Sequence, residues 1–334
     1  MAINYFRSDI LENGLRVCSY YLPTRSVAMA LMSAHGSVTE NDFGVTHLLE
    51  HLLFKQTKDR SALEIAKAID CMGGSLNAQT SYDSMIIHTE VVNAAWKEGL
   101  ALITDIFLHG EYNEADIEIE KGIIRGEILD GDDDPGAVVA REFYGKLWPN
   151  IRPSVVGTVE SVAKIDKAAL DLRVKEIRNA ATTTIVVTGN LKHEDIVAEV
   201  RRLTQALPSF HQDMCMKRLF MPSHGVAQKE LETGQVHIML GSPWLLATDE
   251  ELQSSFLGLC ILGDGVSSRL FMKIRESLGL TYSISNEVEM GKDYSALALY
   301  SSIEPSSVAQ LLELAHSELM QLTKVPVSLE EYEV

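Results

Sequence analysis

The segment Val45–Lys55 constrains the fold of this 334-residue chain more than any other part of it. Its letters, VTHLLEHLLFK, predict a helix that is apolar on nearly every side, and such a helix is stable only when most of its surface is buried. Besides Lys55 at its end, three ionisable side chains lie inside it, those of His47, Glu50 and His51. Because burying each of them without a partner costs on the order of 1–3 kcal/mol, we expect all three to have partners.

The spacing of these side chains is typical of a zinc site. On a helix, His47 and His51 project from the same face, and two imidazoles at that spacing can share one tetrahedral metal ion. Glu50 lies at the edge of that face, where it can reach a water molecule at the metal without binding the metal itself. This H-x-x-E-H order is that of the inverzincins, although it arises by chance in roughly one chain in fifty of this composition. The alternative is a pair of core histidines hydrogen-bonded to Glu50.

A third protein ligand is needed, because a catalytic zinc ion keeps one position open for water. The helix predicted for residues 114–129 carries an apolar stripe of isoleucines, and Glu120 and Glu127 fall on that stripe. Two carboxylates on a buried face are costly without cations or donors. These two acids are therefore the candidates, and the alternative is a solvated acidic face.

Short segments along the chain repeat the motifs of one peptidase family in the family's order: NGLRV, GSVTEND, FGVTHLLEHLLFKQT, GGSLNAQTS, EKGIIRGEI, DDDP, VVGTVESV, VVTGN and DGVSSRLFMKIRESLGLTYSI. They resemble the pitrilysin/insulinase family of zinc peptidases, which includes the mitochondrial processing peptidases and single-chain bacterial relatives. In that family a glutamate ligand follows at the separation found here, 127 − 51 = 76 residues from His51 to Glu127. Gln56 departs from the family, which often has glycine at that position.

The resemblance implies a role for each residue of the motif. His47, His51 and Glu127 would be the ligands of one Zn2+ ion per chain, and Glu50 would be the general base. Glu120 matches the family's second acidic residue and would support the histidines in the catalytic site.

The resemblance also implies substrate contacts. GGSLNAQT matches a strand whose backbone pairs with an extended peptide, which places Asn77 and Ala78 at the substrate. The alternative is an ordinary hairpin edge. Arg275 and Tyr282 match an arginine and a tyrosine of the C-terminal domain that contact substrate carbonyls, and the alternative is a surface arginine and a core tyrosine.

The order of predicted elements indicates an α+β fold with two homologous domains. Strand, helix, helix, two strands and a long helix follow one another in residues 26–108 and again from Gln235 onwards. We expect each domain to be an antiparallel-rich mixed β-sheet with helices packed on one face, the processing-peptidase-like metallohydrolase fold. Residues 1–206 form the predicted N-terminal zinc-binding catalytic domain, 207–229 a linker, and 230–334 a homologous non-catalytic domain that we expect to be incomplete at its C-terminus.

Composition and sequence patterns limit the kinds of binding partner and the cellular locations that are expected for this protein. The net charge of −18 argues against a nucleic-acid partner, and no stretch approaches the roughly 18 apolar residues of a membrane span. The N-terminus lacks a secretory signal pattern, and the four cysteines contain no CxxC pair, as expected of free thiols in a reducing compartment. We therefore expect a cytoplasmic protein, with a mitochondrial or related organelle matrix as the alternative.

Together these features predict a zinc metalloendopeptidase that hydrolyses peptides or unfolded protein segments bound as an extended strand in a chamber. A chain of this size would enclose half of that chamber, so we expect a homodimer, or a heterodimer with a homologous subunit. One alternative is a non-catalytic scaffold or presequence-binding subunit of a processing-peptidase-like heterodimer, against which the intact H-x-x-E-H counts. Another is a zinc hydrolase of non-peptide substrates, against which the NAQT strand counts.

Overall fold

Two compact units divide the chain. The computed structural model describes residues 5–151, 154–210, 221–244, 249–291 and 294–333. The first unit contains residues 1–129 and 154–215, and the second contains residues 130–153 and 216–334. Both units combine helices with a β-sheet, which confirms the predicted α+β class with two domains.

The first unit is built on a six-stranded mixed sheet. Its strands are β1 (Phe6–Ile10), β2 (Arg16–Tyr21), β3 (Ser26–Ser33), β5 (Ser75–Thr80), β6 (Met85–Val92) and β8 (Thr183–Gly189), while β4 (Gln56–Thr57) and β7 (Gly110–Glu111) form a separate two-stranded ribbon. The strand order is β1-β2-β8-β3-β6-β5, and only β2 and β8 run parallel. Strand β5 therefore lies at one edge of the sheet.

Helices cover one face of this sheet. They are α1 (Val45–Leu52), α2 (Ala62–Cys71), α3 (Trp96–His109), α6 (Val159–Lys164), α7 (Lys167–Ile177) and α8 (His193–Leu203), and α4 (Glu114–Asp133) spans the division after Leu129. Buried and more exposed residues alternate along β3, β6 and β8, as in a sheet with one covered side. Gly99 lets α3 approach the sheet closely, because a Cβ there would lie 2.7 Å from Met29 Cε.

Local sequence signals explain several helix boundaries. Ser61, predicted as a cap, forms a capping box with Glu64 at the start of α2. Gly73, with φ of 58°, follows the end of that helix. Pro135 takes the first position of α5 (Pro135–Leu147), and the Asp134 side chain accepts a hydrogen bond from Gly136 N.

The second unit contains a three-stranded antiparallel sheet. Its elements are β9 (Val236–Pro243), α9 (Asp249–Gly263), a π-helical segment (Phe271–Ser277), β10 (Thr281–Met290), β11 (Ser295–Ile303), α10 (Val308–Leu322) and α11 (Leu329–Glu333), together with α5. The strand order is β10-β11-β9. Its core is formed by buried aliphatic side chains of the helices and strands, among them Leu262, Leu270, Ile274, Ile303 and Leu311.

The structure differs from the sequence prediction in the following four respects. The helix beginning at Pro135 groups with the second unit, where the Phe143 ring packs on Gly241 of β9 at a point where a Cβ would lie 2.8 Å away. The helix predicted over 267–278 is π-helical through Phe271–Ser277. Strand β1 was missed because all five of its residues are exposed and show no alternation, and helices α6 and α7 were not predicted.

Several predictions extend to residues that the structure does not describe. The linker predicted at 207–229 includes residues 211–220, which lie outside the described ranges, so this domain boundary stays a prediction. Cys18, Cys71 and Cys260 are free thiols, and Cys215 is outside the described residues. In the described part of the chain, no helix combines the length and apolar character needed to span a membrane. The expected cytoplasmic location stays a prediction.

Candidate metal centre

Helix α1 places the H-x-x-E-H side chains inside the first unit. Its apolar positions are buried as predicted, with Leu48, Leu49 and Leu52 at most 1% exposed. The helix begins after Gly44, whose φ of 90° favours glycine. A Cβ on Gly44 would also lie 2.8 Å from the carbonyl oxygen of Val156. The backbone conformation and close packing of Gly44 therefore fix where α1 begins. They fix the positions of its ionisable side chains in the same way.

His47, His51 and Glu127 come together around one point. The Nε2 atoms of His47 and His51 each lie 3.8 Å from Glu127 Oε2, and the ligand atoms of the three residues all lie within 4.8 Å of one another. In a tetrahedral zinc site, neighbouring ligand atoms are roughly 3.4 Å apart, so the three residues fit a zinc ion. Among the described residues, no other group of three or more histidine, cysteine, aspartate or glutamate side chains has this arrangement.

The charge state of His47 suits a metal ligand. Burial, together with the neighbouring His51, lowers the pKa of His47 to about 4. The ring is therefore neutral at pH 7, the form in which imidazole binds zinc. Its Nδ1 is buried and has no hydrogen-bond partner among the described residues, while Nε2 faces Glu127.

Glu120 contacts His51 from the side opposite the cluster. Only 4% of Glu120 is exposed, and its Oε2 lies 2.9 Å from His51 Nδ1. A carboxylate on the second ring nitrogen orients a metal-binding histidine and raises its basicity. This contact fits the expected role of Glu120, which stays a prediction and would be exerted through His51.

Lys55 is a residue of the site that the sequence analysis missed. Its Nζ forms an ion pair with Glu120 Oε1. The cation offsets the cost of burying the Glu120 carboxylate. A signal was present in the sequence, because Lys55 follows His51 by four residues within the helix predicted for Val45–Lys55. In the structure that helix ends at Leu52, and Lys55 lies in the turn that follows it.

Glu50 is half-buried beside the cluster. Burial raises the pKa of Glu50, and a hydrogen bond from Thr80 Oγ1 to Glu50 Oε2 at 2.6 Å opposes that rise. Thr80 is the last residue of β5. The charges of His51 and Glu127 also act on the pKa of Glu50. The carboxylate therefore lies near two of the candidate ligands and is hydrogen-bonded to the edge strand.

Glu127 is more exposed than the sequence predicted. Both acids of α4 were expected on a buried stripe, and Ile117, Glu120, Ile124 and Ile128 are indeed buried. The Glu127 side chain is 47% exposed. Glu120 is covered by His51 and Lys55, whereas Glu127 reaches the histidines from a side open to solvent, and an open side gives water and substrate access.

The predicted substrate residues lie in both units. Asn77 and Ala78 are in edge strand β5, where the Ala78 N–H donates to Asn77 Oδ1 at 2.9 Å. Arg275 lies in the π-helical segment of the second unit, its guanidinium 4.6 Å from the centre of the Phe271 ring. Tyr282 lies in β10, and its side chain is outside the described part of the chain.

Comparison with known proteins identifies the family. Residues 16–150 match the family model of insulinase (peptidase family M16), and residues 164–334 match that of the peptidase M16 inactive domain. An uncharacterized zinc protease of Rickettsia bellii is 31% identical over 320 residues, covering 94% of this chain and 76% of the relative. The chain belongs to peptidase family M16. This confirms the resemblance found in the sequence.

Other relatives and solved structures agree with this assignment. Uncharacterized zinc proteases of Streptomyces coelicolor and Mycobacterium leprae are 30% and 32% identical, covering 95% and 91% of this M16 chain and 72% and 70% of the relatives. The crystal structure of a protease from Helicobacter pylori has a TM-score of 0.86 at 19% identity, covering 98% of this chain and 82% of that one. The structure of a peptidase M16 inactive domain from Pseudomonas fluorescens also has a TM-score of 0.86, at 18% identity, covering 98% and 81%. At these identities the two structures show a shared fold.

Proposed function

We propose that this chain is a zinc-dependent endopeptidase that hydrolyses peptides or unfolded protein segments. One observation carries the proposal: His47, His51 and Glu127 place their ligand atoms within 4.8 Å of one another, with Glu50 adjacent. The M16 family and the printed names of the relatives support it. A metal centre with three protein ligands and an open side is typical of a catalytic zinc site.

The chemistry follows from the proposed ligand set. A zinc ion held by these residues would lower the pKa of water to roughly 7 and polarise the carbonyl of the scissile bond. Glu50 then accepts a proton from the attacking water at its carboxylate and passes it to the leaving nitrogen. Burial raises the pKa of Glu50, which makes it a stronger proton acceptor than an exposed glutamate.

Edge strand β5 is the proposed binding site for an extended substrate. β5 pairs only with β6 within the described sheet, so its outer edge is available for one more strand. A peptide pairing there would contact Asn77 and Ala78 and would displace the Asn77 side chain from the Ala78 N–H. Because Thr80 ends the same strand, the bound peptide would run toward Glu50.

The proposal also includes substrate contacts by Arg275 and Tyr282 and the participation of a second subunit. We infer from the family resemblance that the arginine and the tyrosine contact carbonyl groups of the substrate. A chamber around the substrate would be enclosed by two homologous chains, with a homodimer as the first choice and a heterodimer as the second.

Peptide cleavage by the purified protein tests the proposed function. We expect cleavage of a mixed peptide library, identified by mass spectrometry, that stops when a chelator is added and returns with zinc. Glu50→Gln should retain zinc and lose cleavage, because an amide cannot take the proton. Glu98→Gln, on an exposed part of α3, is the control and should cleave like the wild type. Cleavage by Glu50→Gln at a near wild-type rate would contradict the proposal.

A further inference from the structure

Thr80 is a hydrogen-bond donor to Glu50 that the family motif does not assign. Its Oγ1 donates to Glu50 Oε2 at 2.6 Å across 30 residues of sequence. A carboxylate offers about four acceptor positions, so this bond leaves Glu50 able to take a proton from water.

A general base of this kind needs a partner that fixes its position. A glutamate side chain rotates about three bonds, and only conformations within hydrogen-bond reach of the attacking water are productive. Displacement of a catalytic group by about 1 Å can cost on the order of 100-fold in rate. The bond from Thr80 selects one position of the Glu50 carboxylate relative to α1.

Thr80 is itself held by the turn that follows it. Thr80 pairs with Met85 across the β5–β6 hairpin. The backbone of the intervening turn accepts hydrogen bonds from a neighbouring loop, Ser37 N to Ser81 O at 3.0 Å and Val38 N to Tyr82 O at 2.9 Å. The turn is therefore fixed on both of its sides, and the Thr80 hydroxyl acts from a rigid support.

One buried guanidinium joins that loop to helix α1. Arg173, 2% exposed, donates from Nη2 to Gly36 O at 2.8 Å and from Nε to Thr46 Oγ1 at 2.9 Å. Gly36 packs directly on the turn, because a Cβ there would lie 2.4 Å from Ser81 O. Thr46 directly precedes His47. The Arg173 side chain thus fixes the positions of both α1, which carries Glu50, and the loop that supports Thr80.

We propose that Thr80 is a positioning residue for the hydrolysis, whose hydroxyl holds the Glu50 carboxylate and links the base to the end of edge strand β5. The inference rests on the proposed peptidase function. Strand β5 would then set both the register of the bound peptide and the position of the Glu50 carboxylate.

Paired substitutions at Thr80 test the inference. Thr80→Val keeps the shape of the side chain and removes the hydroxyl, and Thr80→Ser restores the hydroxyl. We expect Thr80→Val to lower kcat on the order of 10- to 100-fold with KM within about two-fold of wild type, and Thr80→Ser to recover most of kcat. Both variants should bind zinc like the wild type, because Thr80 contacts no candidate ligand in the described structure.

Thr57→Val is the matched control. Thr57 Oγ1 also donates to a carboxylate of the first unit, that of Asp105, at 3.0 Å. This variant loses a hydroxyl–carboxylate bond to Asp105, which is neither a candidate zinc ligand nor the proposed base, and it should keep wild-type kcat. A wild-type kcat for Thr80→Val, or equal losses in Thr80→Val and Thr57→Val, would overturn the inference.

The conformation of Glu50 provides a readout that does not depend on activity. In a high-resolution crystal structure of the metal-free Thr80→Val variant, we expect the Glu50 side chain to leave its wild-type position or to occupy more than one rotamer. An unchanged single Glu50 rotamer would overturn the inference. Zinc-dependent cleavage by the wild type that is lost in Glu50→Gln keeps the proposed function in place whatever Thr80→Val shows, and a wild type that cleaves nothing removes both proposals.

Discussion

At the scale of single residues, the buried carboxylate of Glu120 has a different partner on each of its two oxygens. One oxygen contacts His51 Nδ1 at 2.9 Å and the other pairs with Lys55. Without these partners, a carboxylate that is 4% exposed would be strongly destabilising. The contacts of Glu120 with His51 and Lys55 therefore fix the orientation of His51, which is one of the candidate zinc ligands.

Removing the charge of Glu120 should weaken zinc binding. We expect Glu120→Gln to lower zinc affinity about 10- to 100-fold, because the amide orients and polarises His51 less well. Competition with a fluorescent chelator measures this change. Glu118→Gln, at a side chain 70% exposed on the same helix, should bind zinc like the wild type, and an unchanged affinity for Glu120→Gln would contradict the role of that contact.

At the scale of elements, the connection between β3 and α1 is organised around a buried charged network. Glu40 accepts hydrogen bonds from Gly44 N at 2.7 Å and from Thr46 N at 3.1 Å, which places a carboxylate at the positive end of the α1 dipole. Arg173 contacts the same threonine through its side chain. The start of α1 is thus held by charge-assisted bonds on two sides.

His35, in this connection, should make the fold sensitive to acid. Burial, and then the nearby Arg173, lowers the pKa of His35 to about 4. Its stabilising contribution is complete above about pH 6.5 and is lost as the pH falls toward 4, because only the unfolded chain takes up the proton in that window.

Chelator-treated protein measures this effect without interference from zinc binding. Between pH 7.5 and pH 5, the wild type should lose roughly 2 kcal/mol more unfolding free energy than His35→Gln in urea titrations. His88→Gln, at an exposed position of β6, should follow the wild type. Equal pH dependence in the wild type and His35→Gln would show that His35 titrates normally.

At the scale of the whole molecule, the sequence predicted features that depend on local spacing. His47 and His51 are one helical turn apart, and Glu120 and Glu127 are two turns apart, so the backbone period alone places each pair on one face. The alternating strands and the capping box at Ser61 are local in the same sense. The α+β architecture follows from such signals.

Features that depend on tertiary contacts could not be predicted in this way. Thr80 meets Glu50 across 30 residues, and no periodicity relates the two. The apolar face of α5 predicts a helix but does not show which sheet it covers, and Phe143 packs on β9 of the second unit. The exposure of Glu127 depends on the tertiary contacts around α4, and the spacing of residues along a helix carries no information about those contacts.

The proposed function requires that one zinc ion, held by His47, His51 and Glu127, supports peptide hydrolysis. Titration of zinc into the metal-free protein, with peptide cleavage recorded at each addition, is the decisive test of this requirement. We expect cleavage to be absent without metal, to rise in proportion to added zinc and to reach its maximum at one equivalent per chain. Full cleavage by the metal-free protein, or stoichiometric zinc binding that produces no cleavage, would contradict this expectation.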